Sequence, residues 1–125
     1  MFGSRKRRRQ IATAAAVEGL KAFTTQHPED LERYELSKDV VRFPNFSAAE
    51  AVVRDVERGV PARELVAALL LAAGERPSYE EAKIQAGVQF YTLLAAYEIL
   101  GRQQQAAQAE SAWREFLDSP SALFN

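Results

Sequence analysis

Residues 78–101, SYEEAKIQAGVQFYTLLAAYEILG, constrain the fold of this chain more than any other stretch. Tyr79, Ala82, Ala86, Phe90, Leu93, Tyr97 and Leu100 recur at spacings of three and four, which lines them along one face of a helix. A second row, Ile84, Val88, Tyr91 and Ala95, lies roughly opposite on a helix that turns about 100° per residue. A helix that is apolar on two faces either sits in the centre of a bundle or shares one face with a partner. The sequence therefore predicts an all-α protein, a compact bundle of about five to six helices with a long central helix near 78–101.

Composition narrows the chemistry. A chain of 125 residues suits one domain with a buried core. The absence of cysteine excludes disulfides, thiolate metal sites and a cysteine nucleophile. His27 is the single histidine, so a histidine-based triad or a two-histidine metal site is excluded too. Beside Pro28 it reads as a turn or cap residue. The acids Glu29-Asp30 and Glu80-Glu81 fall at expected helix starts, where they complement the helix dipole. Glycines are scattered, with no phosphate-cradling spacing. No catalytic residue, metal or cofactor is expected. No stretch approaches the roughly 18 apolar residues of a membrane span. Ile11–Val17 follows a basic run but is rich in Ala and Thr and ends at Glu18, unlike a secretory signal. A cytoplasmic location is expected.

Along the chain, residues 1–9 read as a flexible basic arm and residues 10–125 as a single helical domain. Five adjacent cations, Arg5, Lys6, Arg7, Arg8 and Arg9, repel one another and bury nothing. A first helix is expected from about Gln10 to Thr24, with a modest stripe of Ile11, Ala16, Leu20 and Phe23, weakened by Gly19. His27-Pro28 breaks it, and a short helix over about 29–37 and a packed connector over 38–46 follow. Ser47 and Glu50 form a capping box opening a helix that buries Val52, Val53, Val56 and Val60 and stops at Gly59. Pro61 opens the next, with Leu65, Leu69, Leu70 and Ala73 inward and Gly74 at its end. Ser78 and Glu81 repeat the capping-box spacing before the long helix. Gly87 inside that helix either admits a close neighbour or ends it early. After Gly101, a last helix over about 103–117 carries Ala106, Ala109, Trp113 and Phe116 or Leu117 on one face, with Trp113 expected to be buried between the last two helices, facing Phe90, Leu93 or Tyr97. Ala122, Leu123 and Phe124 form an apolar tail able to fold back.

Two resemblances bear on function. The hairpin over about 90–116 resembles one tetratricopeptide-type repeat. Phe90, Leu93, Tyr97, Gly101 and Ala106 stand where that family places its large apolar residue, its Leu, its Tyr, its turn Gly and its small second-helix residue. Leu94 and Trp113 depart from the pattern, which has small residues there, and no second copy follows at the family's period. The resemblance implies a protein-binding scaffold. Residues of about 64–100 are similar to a helix-turn-helix, with Gly87-Val88 as the turn and Thr92-Leu93 in the recognition helix. That resemblance implies DNA reading, yet the would-be recognition helix has no Arg or Lys to meet bases or phosphates.

The net charge of −1 hides an asymmetry: with the five arm cations set aside, 11 basic residues face 17 acidic ones, a net of −6. The leading expectation is a non-enzymatic protein–protein interaction module or adaptor with a basic N-terminal arm. Its partner is another protein or a second copy of the chain, met through Ile84, Val88 and Tyr91 on the outer row of the long helix. The alternative is a nucleic-acid-binding protein in which Arg5, Lys6, Arg7, Arg8 and Arg9 contact phosphates or another anionic surface, with or without the helix-turn-helix.

Overall fold

The computed structural model describes residues 2–29, 45–74 and 79–124. Among these residues the chain forms five α-helices and no strand: α1 (Phe2–Gln26), α2 (Phe46–Glu57), α3 (Ala62–Gly74), α4 (Tyr79–Ile99) and α5 (Gln103–Asp118), closed by a 3-10 turn at Pro120–Phe124. The expected bundle and its long central helix are present. Helix α4 touches all four others, with α1 and α2 against one side and α3 and α5 against the other. The short helix expected over 29–37 and most of the expected connector lie outside the described residues, as does the Ser78 cap.

Two rows on α4 make it central. Ala82, Ala86, Phe90, Leu93 and Tyr97 are buried, and the last three join Val56, Ala62, Val66, Ala109, Ala112 and Phe116 in the larger core. Trp113 stacks on Phe90 with ring centroids 4.3 Å apart and 12° between planes, the facing expected from sequence, although its indole is only partly buried. Inside α3 the fully buried positions are Ala62 and Val66, while Leu65, Leu69 and Leu70 pack at the edge of the core. The tail folds back: Ala122 and Leu123 reach the core and Phe124 stays 79% exposed.

Helix α1 meets α4 at very short range. Ala12, Ala15, Ala16 and Gly19 form its inner seam, so little side chain separates the two backbones. A Cβ on Gly19 would lie 2.5 Å from Thr92 Oγ1 and 2.6 Å from the Thr92 backbone nitrogen and Cα. Thr92 is buried at 6% exposure and donates its hydroxyl to the Val88 carbonyl at 2.9 Å, so this polar side chain asks nothing of α1. One turn along, the Phe23 ring covers Gly87. Gly87 therefore admits a neighbour and does not break the helix, which runs unbroken from Tyr79 to Ile99. The tight turn that a helix-turn-helix needs at Gly87-Val88 is absent.

Helix ends follow local chemistry, with two corrections. The α2 N-cap is Asn45, whose Oδ1 accepts from the Ala48 amide at 3.0 Å, and not Ser47. Asn45 lies three residues before the free amide it caps, the geometry an Asx side chain satisfies. Helix α1 starts at Phe2 and not Gln10, so the five cations are helical. The three expected glycine stops hold, at Gly59, Gly74 and Gly101. Gly59 (φ 81°) and Gly101 (φ 72°) adopt the left-handed conformation that a side chain would strain. At each, the glycine N–H and the next one return to the helix: Gly59 to Val56 O, Val60 to Asp55 O, Gly101 to Glu98 O and Arg102 to Tyr97 O. Arg102 also donates through Nη1 to the Val56 carbonyl at 2.8 Å, tying the two corners together.

On the outer side of α3 and α5, Arg63 makes a two-pronged salt bridge with Glu115 while its guanidinium lies 4.6 Å above the Phe116 ring. The hydrogen bond from Arg63 holds the Glu115 carboxyl below the usual glutamate range and raises the Arg63 guanidinium above its own, against a smaller opposing effect of desolvation.

Two measurements test these contacts. In urea denaturation, Gly19→Ala should lose about 1–3 kcal/mol or more, because the new methyl meets backbone that cannot turn aside. Gly87→Ala should lose less. Its methyl meets the movable end of the Phe23 ring, at 2.7 Å from Cε2, and a helix-interior alanine gains about 1 kcal/mol over glycine. Equal losses at the two sites would contradict the close crossing. For the second, a depressed carboxyl pKa stabilises the fold at pH above the ordinary glutamate range, and that stabilisation disappears as pH falls through the depressed value. The Tm difference between the wild type and Arg63→Ala should therefore be greatest near neutral pH, shrink in strong acid and fall with added salt.

Candidate interaction surface

The cations expected in an arm line the first turns of α1. Five adjacent cations on one helix repel one another, so these turns need compensation. Helix α2 supplies it. Arg8 Nε lies 3.5 Å from Glu57 Oε1, and Arg9 Nε lies 3.5 Å from Glu50 Oε1. Glu50 and Glu57 are seven residues apart, two turns along one face of α2. Arg8 lays its stem along the bundle, and its buried Nε has that carboxylate and no closer hydrogen-bond acceptor. Arg5, Lys6 and Arg7 are exposed, and none has a salt-bridge partner among the described residues. Three consecutive residues point about 100° apart, so together they spread positive charge over about half of the helix circumference.

The row Ile84, Val88 and Tyr91, expected to meet a partner, is covered by the chain's own α1. Ile84 is only 4% exposed and packs with Phe23, and Leu20, Val88 and Tyr91 pack around that pair. The signal for this was in the sequence, as the run of Ala and Gly on α1. Small residues carry little hydrophobic weight but permit close approach. Glu50 and Glu57 were also missed; their spacing of seven on a helix next to a basic segment is the signal that would have found them.

Elsewhere, chemistry-bearing side chains serve packing. His27 stacks on Phe23 with centroids 5.0 Å apart, and its Nε2 lies 3.1 Å from the Tyr91 hydroxyl. Burial, with a contribution from Glu110, raises the Tyr91 phenol above its usual value. Burial also raises the Tyr97 phenol, against a lowering by Arg102, and its hydroxyl has no hydrogen-bond partner among the described residues. No group of three or more His, Cys, Asp or Glu residues among the described residues could hold a metal ion. No helix among them is long and apolar enough to cross a membrane.

The α4–α5 hairpin buries Phe90, Leu93 and Tyr97 and turns at Gly101, as the single-repeat resemblance implies. Helix α5, however, lies more extensively on α3 than on α4. Compared with protein-family models, curated proteins and solved structures, the chain matches none.

The pairing of Arg8 and Arg9 predicts a measurable competition. Glu50→Gln with Glu57→Gln should change stability by only about 1 kcal/mol, since Arg9–Glu50 is well exposed to water and Arg8–Glu57 partly so. It should also strengthen binding of a polyanion such as heparin at low salt, because two more cations become available. Unchanged affinity in a salt titration would mean that α2 does not restrain them.

Proposed function

We propose that the protein is a non-enzymatic helical interaction module that docks an acidic partner protein through the cationic first turns of α1. The observation that carries this reading is the contrast within one basic run. Arg8 and Arg9 face carboxylates of the same chain, whereas Arg5, Lys6 and Arg7 are exposed and unmatched among the described residues. Carboxylate recognition is thus already practised by the neighbouring cations. An acidic surface at this end would also offset the repulsion among these cations. The engagement of the single imidazole with Phe23 and Tyr91 supports a non-enzymatic role.

A second reading is binding to nucleic-acid phosphates. It is favoured by the spread of the cations around the helix, which suits charge density better than a shaped face. The net charge of −6 on the rest of the chain ranks it second, because an extended polyanion would also meet that body.

The test is fluorescence anisotropy with labelled polyglutamate and a labelled DNA duplex, each across a salt series. Polyglutamate should bind, weaken with salt and be lost when Arg5, Lys6 and Arg7 are all changed to Glu, with the Tm nearly unchanged. Binding of DNA alone, lost in the same variant, would replace the first reading with the second. Polyglutamate binding that survives the triple change would remove the cationic turns as the site.

A further inference from the structure

The inner seam of α1 is occupied by α2 and α4, but its outer face is also organised. Lys6, Gln10, Thr13, Val17 and Lys21 follow one another at spacings of four, three, four and four, and all five are exposed. That is the step by which one helix presents a seam to another. An open, shallow hollow of about 530 Å³ lies along this face, bordered by Lys6, Arg9, Gln10, Thr13, Ala14 and Val17 and, at one edge, by the acid Glu18. Thr13 and Ala14 add little bulk to this face. Val17, 44% exposed, is among the few large apolar residues left open to solvent.

Charge decides what fits there. From residue 5 to residue 25 the sole acid is Glu18, against Arg5, Lys6, Arg7, Arg8, Arg9 and Lys21. Lys6 and Lys21 bracket the apolar centre, and the separation of 15 residue steps corresponds to about 22 Å of helix rise. A second copy of this helix would set cations against cations.

We infer that the outer face of α1 seats an acidic amphipathic helix of the partner. The bound helix is at least about four turns long, to reach from Lys6 to Lys21. Its apolar row covers Thr13, Ala14 and Val17, and its carboxylates meet Lys6 at one end and Lys21 at the other. This rests on the acidic-partner reading and adds to it a shape, a direction along the helix and an apolar centre. Apolar contact supplies holding strength, while the cations set encounter rate and selectivity.

The experiment compares two probes on the intact protein. One is a synthetic acidic amphipathic peptide of about four to five turns, with leucine along one face, glutamate on its flanks and alanine elsewhere. The other is polyglutamate of equal charge. Calorimetric titration should give one peptide per protein and tighter binding than polyglutamate. Ala14→Trp fills the seam at an exposed position, and Val17→Asp removes its apolar contact. Each should weaken the peptide at least about tenfold and leave polyglutamate within about twofold, with Tm unchanged. Peptide binding insensitive to both variants would overturn this inference, while polyglutamate binding lost with Arg5, Lys6 and Arg7 would keep the acidic-partner reading intact. Dimerisation of the protein alone, abolished by Ala14→Trp, would overturn it as well, by seating a second copy on this face.

Discussion

The architecture depends on how closely α1 can approach α4. At Gly19 the two backbones come so near that a methyl group has no room beside Thr92. Dispersion attraction falls steeply with separation, so a crossing of this kind gains contact from main-chain atoms as well as side chains. The requirement is strict on both helices. Helix α1 must offer glycine and alanine, and α4 must offer a side chain whose polar atom is already satisfied, as the Thr92 hydroxyl is by Val88. Once this crossing is set, Phe23 comes to lie over Gly87, His27 stacks on Phe23, and Tyr91 is held between them.

The same crossing explains why function has to be sought outside the core. Both apolar rows of α4 are used within the chain, one against α1 and the other against α3 and α5. Among the described residues α1 leaves two features open to solvent, its cationic first turns and its outward face. The α2 helix sits between these two roles. It packs Ala49 and Val53 into the bundle and holds Arg8 and Arg9 with Glu57 and Glu50. Were α1 to carry the proposed docking surface, its packing against α2 and α4 would present that surface in one orientation and lower the ordering cost of recognition compared with a disordered arm.

Large side chains made much of the fold legible in the sequence. The α4 stripe of Phe90, Leu93 and Tyr97, the facing of Trp113 on Phe90, and the glycine stops at 59 and 101 follow from periodicity and backbone conformation. Small and charged residues hid the rest. Ala12, Ala15, Ala16 and Gly19 contribute little hydrophobic signal, so their seam read as a weak helix, and the row it covers read as exposed. The basic run read as an arm because mutual repulsion is local in sequence, whereas the carboxylates that offset it come from a helix more than forty residues away. Of the candidate surface, the cations were legible. Their helical presentation was not, because it depends on tertiary contacts.

The Val56 carbonyl accepts both the Gly59 amide and the Arg102 guanidinium, groups from two different corners of the chain. The reversal between α4 and α5 is therefore completed by an atom 46 residues upstream. The hairpin that looks like a single repeat is thus not an autonomous unit. Excised alone, it would keep its turn glycine but lose the acceptor that fixes Arg102, together with the α3 surface on which α5 mainly rests. In true repeat arrays each unit closes on its neighbour, and units can be added or removed. Here the acceptor that fixes Arg102 and the surface under α5 both come from outside the hairpin, so its closure depends on α2 and α3.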